Sequence, residues 1–195
     1  MRLPFSRPRP AGPARSDSEL VAACLEGSAE AWEALVEKYA NLVYSAPRRY
    51  RMAEEDAADI FQSVFVDLIQ ELPRLRDPAA LPGWLARVAL NKCYQRKKRA
   101  GREENRETSE MERLSAAAGP AVSEVEILEQ EQQVREAVAQ LPERCRELVL
   151  MLFFEDPPLP YAEVARRLGL AEGSIGLTRS RCLKKLEGRL IEAGF

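Results

Sequence analysis

The chain has 195 residues, 46% of them hydrophobic, which is enough to build one ordinary core or two small ones and excludes a wholly disordered protein. Its 29 basic and 31 acidic side chains leave a net charge of -2, so a uniformly basic nucleic-acid coat is excluded and any such contact must come from local patches. The chain has no histidine, and its four cysteines, Cys24, Cys93, Cys145 and Cys182, form no C-x-x-C pair, so no zinc set is present; they read as buried thiols of a reducing compartment.

Residues 1–16 are rich in Pro and Arg and read as a flexible tail, without the apolar core of a secretory signal. No apolar run approaches the ~20 residues of a membrane-spanning helix, which leads to the expectation of a cytoplasmic protein. Helical patterning starts at Ser16 or Asp17, residue types that cap helices. Leu20, Val21, Cys24 and Leu25 recur at helical spacing, and so do Trp32, Leu35, Val36, Tyr39, Leu42 and Val43. These predict two helices separated by Gly27 and Ser28.

A third helix is predicted from about Glu54 to Leu72, with an apolar stripe of Ile60, Phe61, Val64, Phe65, Leu68 and Ile69 beside Asp56, Asp59, Gln62 and Asp67. Its acidic start suits a helix amino terminus. The segment PRLRDPAALPG is irregular, and the helical period resumes at Trp84, Leu85, Val88 and Ala89 before ending in a basic run. Residues 101–123 are charged, then small and polar, and read as a linker. The expectation is an all-α fold of two small helical domains, 17–100 and 124–195.

Near the end, YAEVARRLGLAEGSIGLTRSRCLKKL places Tyr161, Val164, Ala165 and Leu168 on one apolar face, Gly169 at a turn, and Ile175, Cys182 and Leu186 on a facing stripe. That is the spacing of a helix-turn-helix. Its second helix turns Ser174, Leu177, Thr178, Arg179, Ser180, Arg181, Lys184 and Lys185 outward, a mixture of phosphate ligands and short polar groups suited to DNA. A plain αα-hairpin with solvated cations is the alternative. Gly176 either marks where the second helix starts or permits a close approach of backbone to DNA.

The run from Leu141, LPERCRELVLMLFFEDPPLPYAEVARRLGLAEGSIGLTRSRCLKKL, resembles region four of bacterial RNA polymerase sigma factors of the extracytoplasmic-function type. AWEALVEKYANLVYSAPRR, DAADIFQSVFVDLIQELPRL and LPGWLARVALNKCYQRKKR resemble region two of the same family. The resemblance departs from the common pattern at Ser63, Leu81, Gln95, Gly176 and Thr178, positions that bear on promoter preference more than on class.

What the resemblance implies is a sigma factor that directs promoter recognition, DNA opening and transcription initiation. Asp56, Asp59, Gln62 and Asp67 would meet the β′ clamp helices of core polymerase. The irregular loop with Arg87 and Asn91 would serve the minus-ten element, and Lys92, Arg96, Lys97, Lys98 and Arg99 would hold phosphates. Trp84 fits the apolar period better than it fits a base platform. Ser174, Leu177, Thr178, Arg179, Arg181, Lys184 and Lys185 would read the minus-thirty-five element, with the polymerase β flap close by. An anti-sigma protein is a candidate regulator.

No nucleophile-base pair, glycine-rich phosphate loop or Glu-x-x-His metal pair is present, so no catalytic residue, metal or cofactor is expected. The competing reading is a free-standing helix-turn-helix regulator that binds duplex DNA without polymerase.

Overall fold

In a computed structural model of the chain, the residues described are 15–104, 122–155 and 157–195. Of the expected tail, only 15–16 are described. Most of the expected linker also lies outside the described residues, although 101–104 continue one helix and 122–123 begin the next. Among the described residues there are eight α-helices, three short 3-10 helices and no strand. They divide into an amino-terminal unit, Arg15–Gln132, and a carboxyl-terminal unit, Gln133–Phe195. The division falls nine residues beyond the expected start at 124.

The amino-terminal unit begins with a capping box. Ser16 Oγ accepts from the Glu19 amide at 3.3 Å and the Ser16 amide donates to Glu19 Oε2 at 2.7 Å, which satisfies end groups of α1 (Asp17–Leu25). The Ser16 amide, with the Ser16 hydroxyl donating to the same Oε2 at 2.9 Å, holds the Glu19 carboxyl below its ordinary pKa. Gly27 takes a left-handed φ of 87° in the turn, and Ser28 caps α2 (Ala29–Arg49). Asp17 Oδ1 accepts from both Tyr39 Oη at 2.7 Å and Lys38 Nζ at 2.8 Å, tying α1 to α2.

Helix α3 (Glu54–Glu71) has no side-chain cap, and its first turn instead carries Glu54, Glu55 and Asp56 against the helix dipole. The proline-bracketed segment folds into two 3-10 turns, Leu72–Arg74 and Pro78–Ala80, and α4 (Leu81–Glu104) follows. Helix α5 (Val122–Ala139) adds its residues up to Gln132 to this unit. Leu35, Tyr39, Leu42, Val64, Leu68, Leu85, Leu90 and Leu128 are buried in a single core, with Trp84 packed at its edge as the period requires. Of the apolar residues expected at helical spacing here, Leu25 and Ile69 are exposed, because each lies at the flank of its helix's buried face.

The carboxyl-terminal unit contains the rest of α5, then α6 (Glu143–Phe153), α7 (Tyr161–Leu168), a 3-10 turn (Glu172–Ser174) and α8 (Ile175–Glu192). Its interior is two small clusters. One joins Val138, Leu141, Cys145, Val149 and Cys182, and the other joins Leu148, Met151, Val164, Ala165 and Ile175. The cysteine expectation is corrected here: Cys145 and Cys182 form a disulfide, while Cys24 and Cys93 are free buried thiols. Far apart in the chain, the bonded pair is brought together by the packing of α6 on α8, which no local spacing announces.

Candidate nucleic-acid interface

The turn between α7 and α8 is made by Gly169, whose φ of 62° and ψ of 40° lie in the left-handed region, where a side chain would be strained. Leu170 N then donates to Ala165 O at 2.9 Å, and the chain turns through the 3-10 segment into α8. Gly176 is the second residue of α8, so its helix cost falls in the first turn, and no atom lies within 4 Å of where a Cβ would stand. It therefore stands at the start of the helix, with open space beside its backbone.

Ser174, Leu177, Arg181 and Lys184 follow each other at three- and four-residue steps along one line. Leu177 is 60% exposed, and Arg181, Lys184 and Lys185 are also exposed. Ile175 and Cys182 are buried on the opposite side. The hydroxyls of Ser174 and Thr178 donate to Ala171 O at 2.7 Å and Ser174 O at 2.8 Å, which leaves their oxygens as acceptors toward a ligand.

Arg179 behaves differently. Its Nη1 donates to Tyr161 Oη at 2.6 Å and its guanidinium lies 6.0 Å from that ring's centroid, so it braces α8 against α7. Tyr161, expected on the apolar face, is exposed and serves as this brace, because the polar tip of a tyrosine favours the surface. On α7, Glu163 accepts from Arg166 and Arg167, which pull its carboxyl down to about 2.

In the amino-terminal unit the basic run of α4 is split among three faces by the helical period. Arg87, Asn91 and Lys98 fall along one line, with Arg87 exposed and Asn91 half-buried. Lys92 and Arg96 face α3: Lys92 Nζ is 2.7 Å from Asp67 Oδ2, and Arg96 pairs with Asp56 and, at 3.9 Å, with Asp59. Lys97 Nζ lies 5.8 Å from the Tyr50 ring centroid, and Arg99 is exposed. Residues assigned from sequence to two separate partners thus contact one another within one unit.

The outer face of α3 carries Asp59, Gln62, Val66 and Ile69 at helical spacing, with Val66 53% and Ile69 58% exposed. Sequence reasoning missed Val66 and counted Ile69 in the apolar stripe. The signal available was the width of the stripe: a helix with apolar residues on more than one face has surface left for a partner. Among the described residues, no helix is long and apolar enough to cross a membrane.

Comparison with known proteins matches residues 35–103 to the family model "Sigma-70 region 2" and residues 131–186 to "Sigma-70, region 4". The ECF RNA polymerase sigma factor SigM, found in two strains of Mycobacterium tuberculosis, is 28% identical over 170 residues, covering 87% of this chain and 81% of the relative. Among solved structures, CnrH in complex with the cytosolic domain of CnrY gives a TM-score of 0.37 at 23% identity, covering 91% of this chain and 97% of that one. The RsbN–BldN complex gives 0.34 at 21% identity, with coverages of 86% and 96%. With one helical unit matched to region 2, a helix-turn-helix unit matched to region 4 and a sigma-factor relative running along most of its length, this chain belongs to the sigma-70 family of RNA polymerase sigma factors, of the extracytoplasmic-function type.

Proposed function

We infer that the protein binds core RNA polymerase, gives it promoter specificity and helps open the start site in the cytoplasm. It performs no chemistry of its own, since the polymerase supplies the reaction. The observation that carries this reading is the exposed line of Leu177, Arg181 and Lys184 on the helix after the Gly169 turn, with half-buried Ser174 at its cap, in a chain that also carries region 2. A regulator acting alone would use that second unit for dimerisation or sensing, whereas here the second unit matches region 2.

Within this reading, Leu177 and Arg181 meet base edges of the minus-thirty-five element, while Lys184 and Lys185 hold phosphates. Arg179 sets the tilt of α8 through Tyr161. The outer face of α3, with Asp59 and Gln62 flanked by Val66 and Ile69, docks on the β′ clamp helices: the apolar pair supplies buried area and the polar pair supplies register. An anti-sigma protein would compete for the same face. Arg87, Asn91 and Lys98 approach the minus-ten element beside the turns at 72–74 and 78–80, where sheltering unpaired bases lowers the cost of opening the duplex. Lys92 and Arg96 reach phosphate only by exchanging Asp67 and Asp56 for it.

The test is co-elution of the purified protein with bacterial core polymerase, followed by transcription of a promoter library. Stable association with protein-dependent initiation is expected. Binding to duplex DNA with no polymerase association would overturn the reading in favour of a free-standing regulator.

A further inference from the structure

The disulfide joins Cys145 on α6 to Cys182 on α8, with Cα atoms 5.2 Å apart and 37 residues between them in sequence. The span it closes contains all of α7 and the Gly169 turn, so the bond fastens the second helix of the helix-turn-helix directly to the rest of its unit. Cys182 occupies the inward side of α8, next to Arg181 and one turn from Thr178. Both sulfurs sit in the small cluster with Val138, Leu141 and Val149, where Cys145 is 7% and Cys182 1% exposed.

The other two cysteines are of a different kind. Cys24 and Cys93 are buried in the core of the amino-terminal unit, and burial raises the Cys24 thiol and pushes Cys93 to about 12, which keeps both protonated and inert. The pair able to change covalent state therefore sits in the unit that carries the helix-turn-helix. Where polymerase works, small thiols keep cysteines reduced, and the disulfides that do form there are mostly transient and redox-sensing.

We propose that Cys145 and Cys182 are a reversible thiol-disulfide pair that controls how firmly α8 is held, with the oxidised form reading the minus-thirty-five element. The proposal rests on the assignment of that element to the carboxyl-terminal unit. In the forward step the two thiols give up two protons and two electrons to hydrogen peroxide; the sulfur-sulfur bond forms, the oxygen-oxygen bond breaks and two waters leave. In reverse, a thiolate of a small dithiol attacks one sulfur and the protein's bond breaks. The reductant's second thiol then resolves the mixed disulfide, leaving two cysteine thiols and an oxidised reductant. Because both sulfurs are buried, exchange in either direction passes through local opening of α8.

A cross-link over a loop of this length shifts the opening equilibrium toward the folded unit by roughly 100- to 1,000-fold. On two small clusters that is a large share of the unit's stability. Loosening α8 lowers the fraction of molecules competent to bind and weakens apparent affinity in proportion.

The experiment compares full-length protein, bound to core polymerase, after peroxide and after dithiol treatment. It reads amide exchange along α8, alkylation of each cysteine, and transcription from a promoter that needs its minus-thirty-five element. Reduction is expected to speed α8 exchange by about 100-fold, leave α2 and α4 unchanged, and lower transcription at least about threefold at 37 °C. The double variant Cys145→Ala with Cys182→Ala should match the reduced protein and ignore peroxide. Equal transcription in the two forms would sink the proposal while leaving the promoter assignment standing, and so would alkylation showing both cysteines free after peroxide. Failure of the oxidised protein at every such promoter, with polymerase binding intact, would overturn the assignment and the proposal together.

Discussion

The two units of this chain solve the same problem with different means. The amino-terminal unit packs its helices around one continuous core and joins α3 to α4 across its surface by pairing Asp67 with Lys92 and Asp56 with Arg96. The carboxyl-terminal unit has only two small clusters, adds a covalent bond between α6 and α8, and leaves Arg181, Lys184 and Lys185 exposed. Buried area grows faster than length, so a small unit gains more from a cross-link. The difference also shows where cations are committed inward and where they are left for a partner. A phosphate approaching α8 meets bare charge, whereas one approaching Lys92 must displace a carboxylate.

The largest effects should separate the units by stability. Leu85→Ala, at a fully buried site of the single core, should cost the amino-terminal unit about 2–5 kcal/mol, seen as a lowered first transition in chemical denaturation with the other unit's transition unmoved. Loss of the cross-link in Cys182→Ala should cost the carboxyl-terminal unit up to ~4 kcal/mol under oxidising conditions, with the amino-terminal transition unchanged. If either variant shifts both transitions equally, the units are not energetically distinct.

The next effect tests the contrast in charge. Arg181→Ala should weaken binding to a minus-thirty-five promoter by about 1–3 kcal/mol and reduce the salt dependence by about one phosphate, while circular dichroism shows an unchanged fold. Asp67→Asn should change stability by no more than about 1 kcal/mol, since this ion pair is partly exposed, and should steepen the salt dependence of promoter binding because Lys92 is released. A shallower salt dependence in Asp67→Asn would show that the released lysine does not reach DNA.

The smallest effect is in pH. Glu163, held at about 2 by Arg166 and Arg167 against an ordinary value near 4.5, is ionised in the folded state where the unfolded chain already binds a proton. Its contribution is therefore complete above about pH 4.5 and is lost as pH falls toward 2. Wild type and Glu163→Gln should converge in melting temperature over that window. A gap that stays constant from pH 6 to pH 2 would show that those arginines do not stabilise the carboxylate.

Much of the architecture was legible from the order of residues, because helical periodicity and punctuation act locally. Ser16 and Ser28 cap the helices they precede, Gly27 and Gly169 take the left-handed turns, and most apolar positions of α2, α3 and α4 meet in the core. The helix-turn-helix was legible for the same reason, and so was the line of Leu177, Arg181 and Lys184. The candidate site was less so, since a period shows which residues share a face but not what stands opposite. Ile69 counted in the apolar stripe and faces outward; Tyr161 looked like core and braces Arg179.

By itself, then, the sequence determined an all-helical chain, the positions of its turns, its helix-turn-helix and, through motifs spread along most of its length, its family. These depend on backbone preferences and on spacing within one helix. Tertiary structure alone decided which acids and bases of α3 and α4 neutralise each other, which apolar residues of α3 remain exposed, that α5 up to Gln132 belongs with the first unit, and that Cys145 and Cys182 are bonded. Each of these needs residues distant in the chain to meet, and a meeting of that kind is set by how whole helices pack.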